Sequence, residues 1–258
     1  MMQTMSVLIH GRAKVGKSTL GGTAPPPVVI FDAEGSTKFL PLRMIPWNPV
    51  YEPAPAYDGT WDAAIVNVTQ YADLDAGFQK LSTGQHHFRS LVLDSVSEAQ
   101  RKLKDKVAGA EAMKFDHWDE LLRNMVVLIR GFRDLTQHPT NPLMMAAFIT
   151  ETKLREGKYV PAMQGQISDN LPYWFDLVGY LWVETARDPT SGQPQVDPAT
   201  GRTVKTRHLL VSPDNPLYEA GERVQGRLPD IVTEPDLSTM LVTVFPSLAA
   251  PQTQEAQA

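Results

Sequence analysis

The chain has 258 residues, of which 42% are hydrophobic and 21% charged, with a net charge of -5, ordinary usage for a protein that buries one large core. The absence of cysteine excludes disulfide frameworks and thiolate nucleophiles or metal ligands, and the negative balance excludes a uniformly basic nucleic-acid binder, so any DNA contact must come from a local patch. No stretch offers the ~20 consecutive apolar residues of a membrane span, and Met1 to His10 is too short for a secretory signal, so a soluble, cytoplasmic protein with no membrane partner is expected.

Met5 to His10 is an apolar run ending at a glycine, the pattern of a buried strand entering a loop. A helix is expected to begin near Lys17 and to be short, because Gly21, Gly22 and Pro25 to Pro27 break it. Val28 to Phe31 is a second β-branched run that ends in Asp32 and Glu34, as a buried parallel strand does when it carries functional groups at its carboxyl end. From Pro41 to Gly59 there are five prolines with Trp47, Tyr51 and Tyr57, which predicts an irregular excursion over the domain whose aromatics are buried. Ala64 to Val68 reads as a strand and Leu74 to Leu81 as a helix.

Arg89 to Asp94 is the next apolar run, with a helix expected from Ser95. His86 and His87 are adjacent and lack carboxylates in a metal pattern, so a surface turn is expected there. Trp118, Leu121, Leu122, Met125, Leu128, Ile129 and Phe132 recur at three- and four-residue spacings, predicting a long amphipathic helix over 116–135. Leu143 to Ile149 and Leu177 to Val183 follow as strands, and Val204 to Val211 as the antiparallel partner of the latter. Strands alternating with helices before a late hairpin imply an α/β layer fold with a mostly parallel sheet. Residues 247–258 offer little to bury and are expected to be a disordered tail.

The sharpest motif is Gly11-Arg12-Ala13-Lys14-Val15-Gly16-Lys17-Ser18, which satisfies every position of the phosphate-loop pattern and is followed by Thr19. Glycines let backbone N–H groups turn inward around phosphates, Lys17 reaches the β- and γ-phosphates, and the Ser18 hydroxyl ligates Mg2+. ATP with Mg2+ is therefore the expected ligand. Asp94 at a strand end is the candidate for the magnesium shell, and Asp32 competes for that role.

Three segments resemble the RecA-like ATPases, and more narrowly the small bacteriophage RecA-like proteins linked to single-strand annealing and recombination. Phe31-Asp-Ala-Glu34 is similar to the strand that delivers the catalytic glutamate, Leu91-Val-Leu-Asp-Ser-Val96 to the magnesium-aspartate strand, and Phe148-Ile-Thr-Glu-Thr-Lys153 to the strand end carrying a γ-phosphate sensor. Leu171 to Gly179 and Gly226 to Pro229 resemble segments of the phage family. The resemblance implies a RecA-like core over 1–246, with Glu34 polarising the attacking water and Thr150 sensing phosphate; Glu151 beside it departs from the family pattern.

It also implies self-association as a ring or filament in which a neighbouring subunit supplies basic residues. Lys205-Thr-Arg207 has the Lys-x-Arg form for this, and strand alternation points both side chains to one face. Single-stranded DNA is the implied partner, with a single-strand DNA-binding protein as a further one, in the cytoplasm of a bacterial host. Lys153, Arg155 and Lys158 with Tyr159 form one basic stretch with a base-stacking aromatic, and Arg101, Lys102, Lys104 and Lys106 a second. The implied function is ATP hydrolysis coupled to DNA binding. A slowly hydrolysing nucleotide-dependent assembly protein is the alternative, and a nucleotide kinase is disfavoured by the lack of an arginine-rich lid.

Overall fold

The computed structural model describes residues 3–109 and 111–249. In chain order the elements are β1 (Met5–Gly11), α1 (Lys17–Gly21), β2 (Val28–Asp32), β3 (Met44–Pro46), β4 (Ala63–Asn67), α2 (Tyr71–Leu81), β5 (Ser90–Asp94), α3 (Val96–Ala108), α4 (Phe115–Asp134), β6 (Met145–Arg155), β7 (Lys158–Pro161), α5 (Ile167–Asn170), β8 (Leu177–Thr185), β9 (Lys205–Leu210), β10 (Gly221–Glu222), β11 (Ile231–Thr233) and α6 (Leu237–Val244).

The main path of the sheet runs β11-β9-β8-β1-β6-β5-β2-β4-β3. From β8 to β3 every neighbouring pair is parallel, whereas β9 and β11 close one side antiparallel. This is the α/β layer fold expected from the alternation of elements, late hairpin included. The central strands are buried on both faces, which explains why β1, β2 and β5 read as continuous apolar runs rather than alternating ones. On one face Leu8, Phe31, Leu93 and Phe148 pack against α2, α3 and α4 through Leu74, Leu103, Met125 and Phe132. On the other, Val7, Ile9, Ile30 and Ile149 pack against α1 and α6 through Leu20, Leu237 and Leu241.

Several boundaries differ from the sequence expectation for identifiable reasons. The Pro-rich excursion over 41–59 contains β3, whose Met44 to Pro46 pair with β4 at the sheet edge. Trp47 is buried against Phe88, but Tyr51 is 83% exposed, so only part of that aromatic cluster needed shelter. The sixth strand continues past Ile149 to Arg155 because its second half leaves the main sheet and pairs with β7. The His86–His87 pair lies in the irregular connection from α2 to β5, with His87 exposed as on a surface turn, but His86 is buried beside Phe88, its carbonyl accepting from Asn141 Nδ2 at 2.8 Å. Residues 246–249 form a 3-10 turn, and the rest of the expected tail lies outside the described residues.

The close approach of α2 to the sheet depends on Gly77, where an added Cβ would stand 2.2 Å from the Phe31 ring. Phe31 is fully buried and wedged against Phe132 with ring centroids 4.9 Å apart, so it has little room to yield. Gly77→Ala should therefore destabilise the fold by about 1–3 kcal/mol, although alanine is the better helix former. Urea unfolding of the two proteins checks this, and an equal or raised midpoint for the variant would contradict the packing argument.

Candidate functional site

The phosphate-loop segment leaves the carboxyl end of β1 and enters α1 through Gly16, which sits at φ 93° as the residue before the first helical turn. That left-handed conformation turns the backbone so that N–H groups at the start of α1 face one cavity. Lys14 also has positive φ, 63°. The cavity measures about 700 Å³ and is lined by Gly11 to Lys14, Gly16 to Thr19, Glu34, Ser36, Asp94, Glu151 and Thr152. The Val15 side chain turns away to pack against the apolar layer beneath the loop.

Parallel register explains how distant segments meet here. Gly11 is level with Glu151 on β6, and Asp94 is level with Asp32 and Ile149, so all these carboxyl ends open on one edge of the sheet. Lys17 Nζ donates to the Gly11 and Arg12 carbonyls at 3.0 and 2.9 Å, holding the ammonium across the mouth of the loop. Burial lowers its pKa, while Glu34, Asp94 and Glu151 act in the opposite sense.

Asp94 is buried, and desolvation pushes its pKa up to about 6; the Ser18 and Ser36 hydroxyls counter that shift and Glu34 and Asp32 add to it. Ser36 Oγ donates to Asp94 Oδ2 at 3.0 Å and lies 3.2 Å from Ser18 Oγ, so the loop serine, the bridging serine and the carboxylate form one chain. Asp32 is not part of it. Its carboxylate accepts from the backbone N–H groups of Glu34, Gly35, Ser36 and Thr37 and from the Thr37 hydroxyl at 2.6 Å. Asp32 thus shapes the turn that delivers Glu34 and Ser36, leaving Asp94 as the strand-end carboxylate that faces the loop.

Glu34 is exposed at the cavity wall, and one of its carboxylate oxygens accepts from the Ser95 hydroxyl. Glu151 also lines the cavity but is held by Arg101, which donates to both its oxygens at 2.8 and 2.9 Å. This corrects the expectation for Thr150. That side chain is fully buried, its hydroxyl 2.8 Å from Ser97 Oγ, and strand alternation turns Glu151 and its bound Arg101 toward the cavity edge instead.

Other candidates are dispersed. Arg207 packs on the loop, with Cδ 3.2 Å from where a Gly16 Cβ would stand, and Lys205 donates to Thr185 Oγ1 at 2.7 Å; neither lines the cavity. Each cation of the β6–β7 hairpin has an internal partner: Lys153 donates to the Met163 carbonyl, Arg155 pairs with Asp169, and Lys158 with Glu219 at 2.7 Å. Tyr159 stacks on Tyr218, and Arg12 donates to its hydroxyl at 3.2 Å. In α3, Arg101 and Lys102 pair with Glu98 and Lys106 with Asp75, while Lys104 lies over the Trp118 ring.

The residues present fit a magnesium–nucleotide. Among the described residues there is no group of three or more His, Asp or Glu side chains able to hold a metal alone. Ser18 and Asp94 supply the sparse oxygen set of a site in which Mg2+ arrives with the phosphates. No helix among the described residues is long and apolar enough to cross a membrane.

A mostly parallel sheet whose first strand runs into a glycine-turned loop and helix, with an acidic strand end opposite, defines a P-loop ATPase class. The chain belongs to the AAA domain family (AAA_24), whose match spans residues 3–224. No curated protein matches it.

Beneath the cavity, His10 is fully buried, its Nε2 donating to the Glu219 carbonyl at 2.6 Å and its Nδ1 lying 3.1 Å from Thr152 Oγ1. Burial lowers its pKa from 6.5 to about 4, with Lys17 and Lys158 adding to the shift. The unfolded chain therefore takes up this proton first as pH falls. The stabilisation is complete above pH 6.5 and is lost as pH drops toward 4. Between about pH 7 and about pH 5 the wild type should lose about 2 kcal/mol more stability than His10→Gln. Urea unfolding at both pH values tests it; parallel losses would show that His10 is not held neutral by the fold.

Proposed function

We propose that the protein binds ATP with Mg2+ on the 11–18 loop, hydrolyses it, and couples its nucleotide state to single-stranded DNA during phage recombination or repair. The observation that carries the hydrolytic part is the convergence of Lys17, Ser18, Ser36, Asp94 and Glu34 on one cavity from three separate strand ends. The loop N–H groups and Lys17 bind and orient the phosphates. Ser18 and Asp94 hold the ion, with Ser36 keeping the carboxylate turned toward the loop. When bound, Mg2+ neutralises charge that develops on the transferring phosphoryl group. Glu34, oriented by the Ser95 hydroxyl, takes the proton of the attacking water.

The DNA-coupled part rests on the resemblance of segments 31–34, 91–96 and 148–153 to RecA-like ATPases and of 171–179 and 226–229 to the phage family, and on one contact. Arg12 of the loop donates to Tyr159 of the β6–β7 hairpin, so a change in the loop is felt at the hairpin that carries Lys153, Arg155 and Lys158. In this reading those cations exchange their internal partners for DNA phosphates, and the protein assembles along the strand. The second reading is a nucleotide-dependent assembly protein with little hydrolysis. Thr150 favours it, because its fully buried hydroxyl is taken up by Ser97 and leaves the sensor position without a group that faces the phosphates.

Steady-state ATP hydrolysis with and without single-stranded DNA separates the two. Glu34→Gln should lower kcat by about 10²–10⁴ while retaining nucleotide binding, and Lys17→Ala should abolish binding. A Glu34→Gln variant as fast as wild type removes Glu34 from the chemistry. A rate indifferent to DNA, together with no DNA binding in any nucleotide state, removes the recombination reading.

A further inference from the structure

Arg207 occupies a place that the sequence did not foretell. It lies on β9, two strands from β1, yet its aliphatic stem rests on Gly16 of the same chain and its Nη1 stands 3.6 Å from the Gly16 Cβ position. Glu234 holds it there. The Glu234 carboxylate accepts from the Arg207 backbone N–H at 2.7 Å and from the guanidinium Nε and Nη2 at 3.3 and 3.2 Å, and the Glu234 N–H donates back to the Arg207 carbonyl at 2.8 Å.

Glu234 adopts φ 45°, a left-handed conformation that a non-glycine residue holds only when its surroundings enforce it. The side chain that gains from this backbone is the one that grips Arg207. The ion pair is partly exposed, so it contributes little to stability as such. Its effect is positional: it keeps the guanidinium against Gly16, behind the phosphate loop and just outside the residues that line the cavity, one side-chain swing from the bound phosphates. Lys205 faces the same side but remains with Thr185.

We propose that Arg207 serves the nucleotide of its own chain, contacting its phosphates in cis, and that Glu234 is the positioning residue that parks it on Gly16. The proposal rests on the ATP-binding reading above and differs from a finger supplied by a neighbouring subunit. It requires no self-association for the site to be charged. Glu234 lies beyond the span matched by the family, so this latch belongs to the terminal β11 region.

Titration with a fluorescent non-hydrolysable ATP analogue, at two chain concentrations differing a hundredfold, is the first test. Arg207→Ala should weaken binding about 10-fold at both concentrations, with Arg207→Lys recovering part of it, because a cis contact does not depend on neighbours. Glu234→Gln, which keeps an acceptor for the Arg207 N–H but removes the charge, should weaken binding about 3-fold in the wild type and not at all in an Arg207→Ala background.

A defect of Arg207→Ala that disappears on dilution would overturn the proposal, as would additive losses in the double variant. Mixing Lys17→Ala with Arg207→Ala chains gives a second readout. Hydrolysis no greater than the sum of the two alone supports cis action, and recovery of activity in the mixture assigns Arg207 to the neighbour. Failure of the wild type to bind the analogue would instead sink the ATP-binding reading, a result distinct from either.

Discussion

Parallel pairing of β1, β6, β5 and β2 is the constraint on which the site depends. In a parallel sheet the carboxyl ends of all strands emerge on one edge, and here the register sets Gly11 level with Glu151 and Asp32 level with Asp94. Insertion of β6 between the loop strand and the Asp94 strand opens a gap at that edge. The gap is closed from the side by the turn after β2, where one buried carboxylate, Asp32, gathers four successive N–H groups. Without that turn neither Glu34 nor Ser36 would reach the loop. A residue far from the phosphates thus decides whether the cavity has an acid and a bridging hydroxyl at all.

The same edge explains why charge is tolerated where burial is deep. Asp94 is almost wholly excluded from water and prefers its proton more than an ordinary aspartate does. Its position would be costly in a plain core. Ser18, Ser36 and the nearby ammonium of Lys17 reduce that cost, and each of them belongs to the nucleotide site rather than to the scaffold. Stability given up at a strand end in order to concentrate charge is the expected mark of a functional site.

Much of the fold could be read from the chain because fully buried parallel strands leave continuous apolar runs. Met5 to His10, Val28 to Phe31 and Arg89 to Asp94 each became a strand within about a residue of the expected ends, and the helix over 116–135 followed its apolar spacing. Short strands were not legible. β3, β7, β10 and β11 span two to four residues, too few for a period to register, and what forms them is a partner strand distant in sequence.

Within the site, the loop was legible because every position is fixed by phosphate geometry, and the choice between Asp32 and Asp94 was not. Both end apolar runs with the same chemistry. What separates them is rotamer and turn: the Asp32 carboxylate points back along its own chain while that of Asp94 meets Ser36. Ser36 and Thr152 carried no signal, since a lone hydroxyl matches countless surface residues until register brings it to the edge. Thr150 shows the reverse failure, a motif position whose side chain alternation turns toward Ser97.

Arg207 and Glu234 extend that logic to the far side of the loop. A Lys-x-Arg pair on a strand is compatible with a contact to its own chain or to a neighbour, and the sequence cannot distinguish them because both need the same exposure and alternation. The distinction lies in a third residue. Glu234 is 27 positions along, on a segment returned by β11, and its left-handed backbone aligns the carboxylate with both the amide and the guanidinium of Arg207. A cation destined for a neighbouring site gains nothing from being fastened to its own loop, since each transfer would first have to break the two guanidinium hydrogen bonds to Glu234. One destined for its own site gains pre-organisation, which lowers the entropy lost when phosphate binds. The latch is therefore the feature that turns an ambiguous basic pair into a directional one.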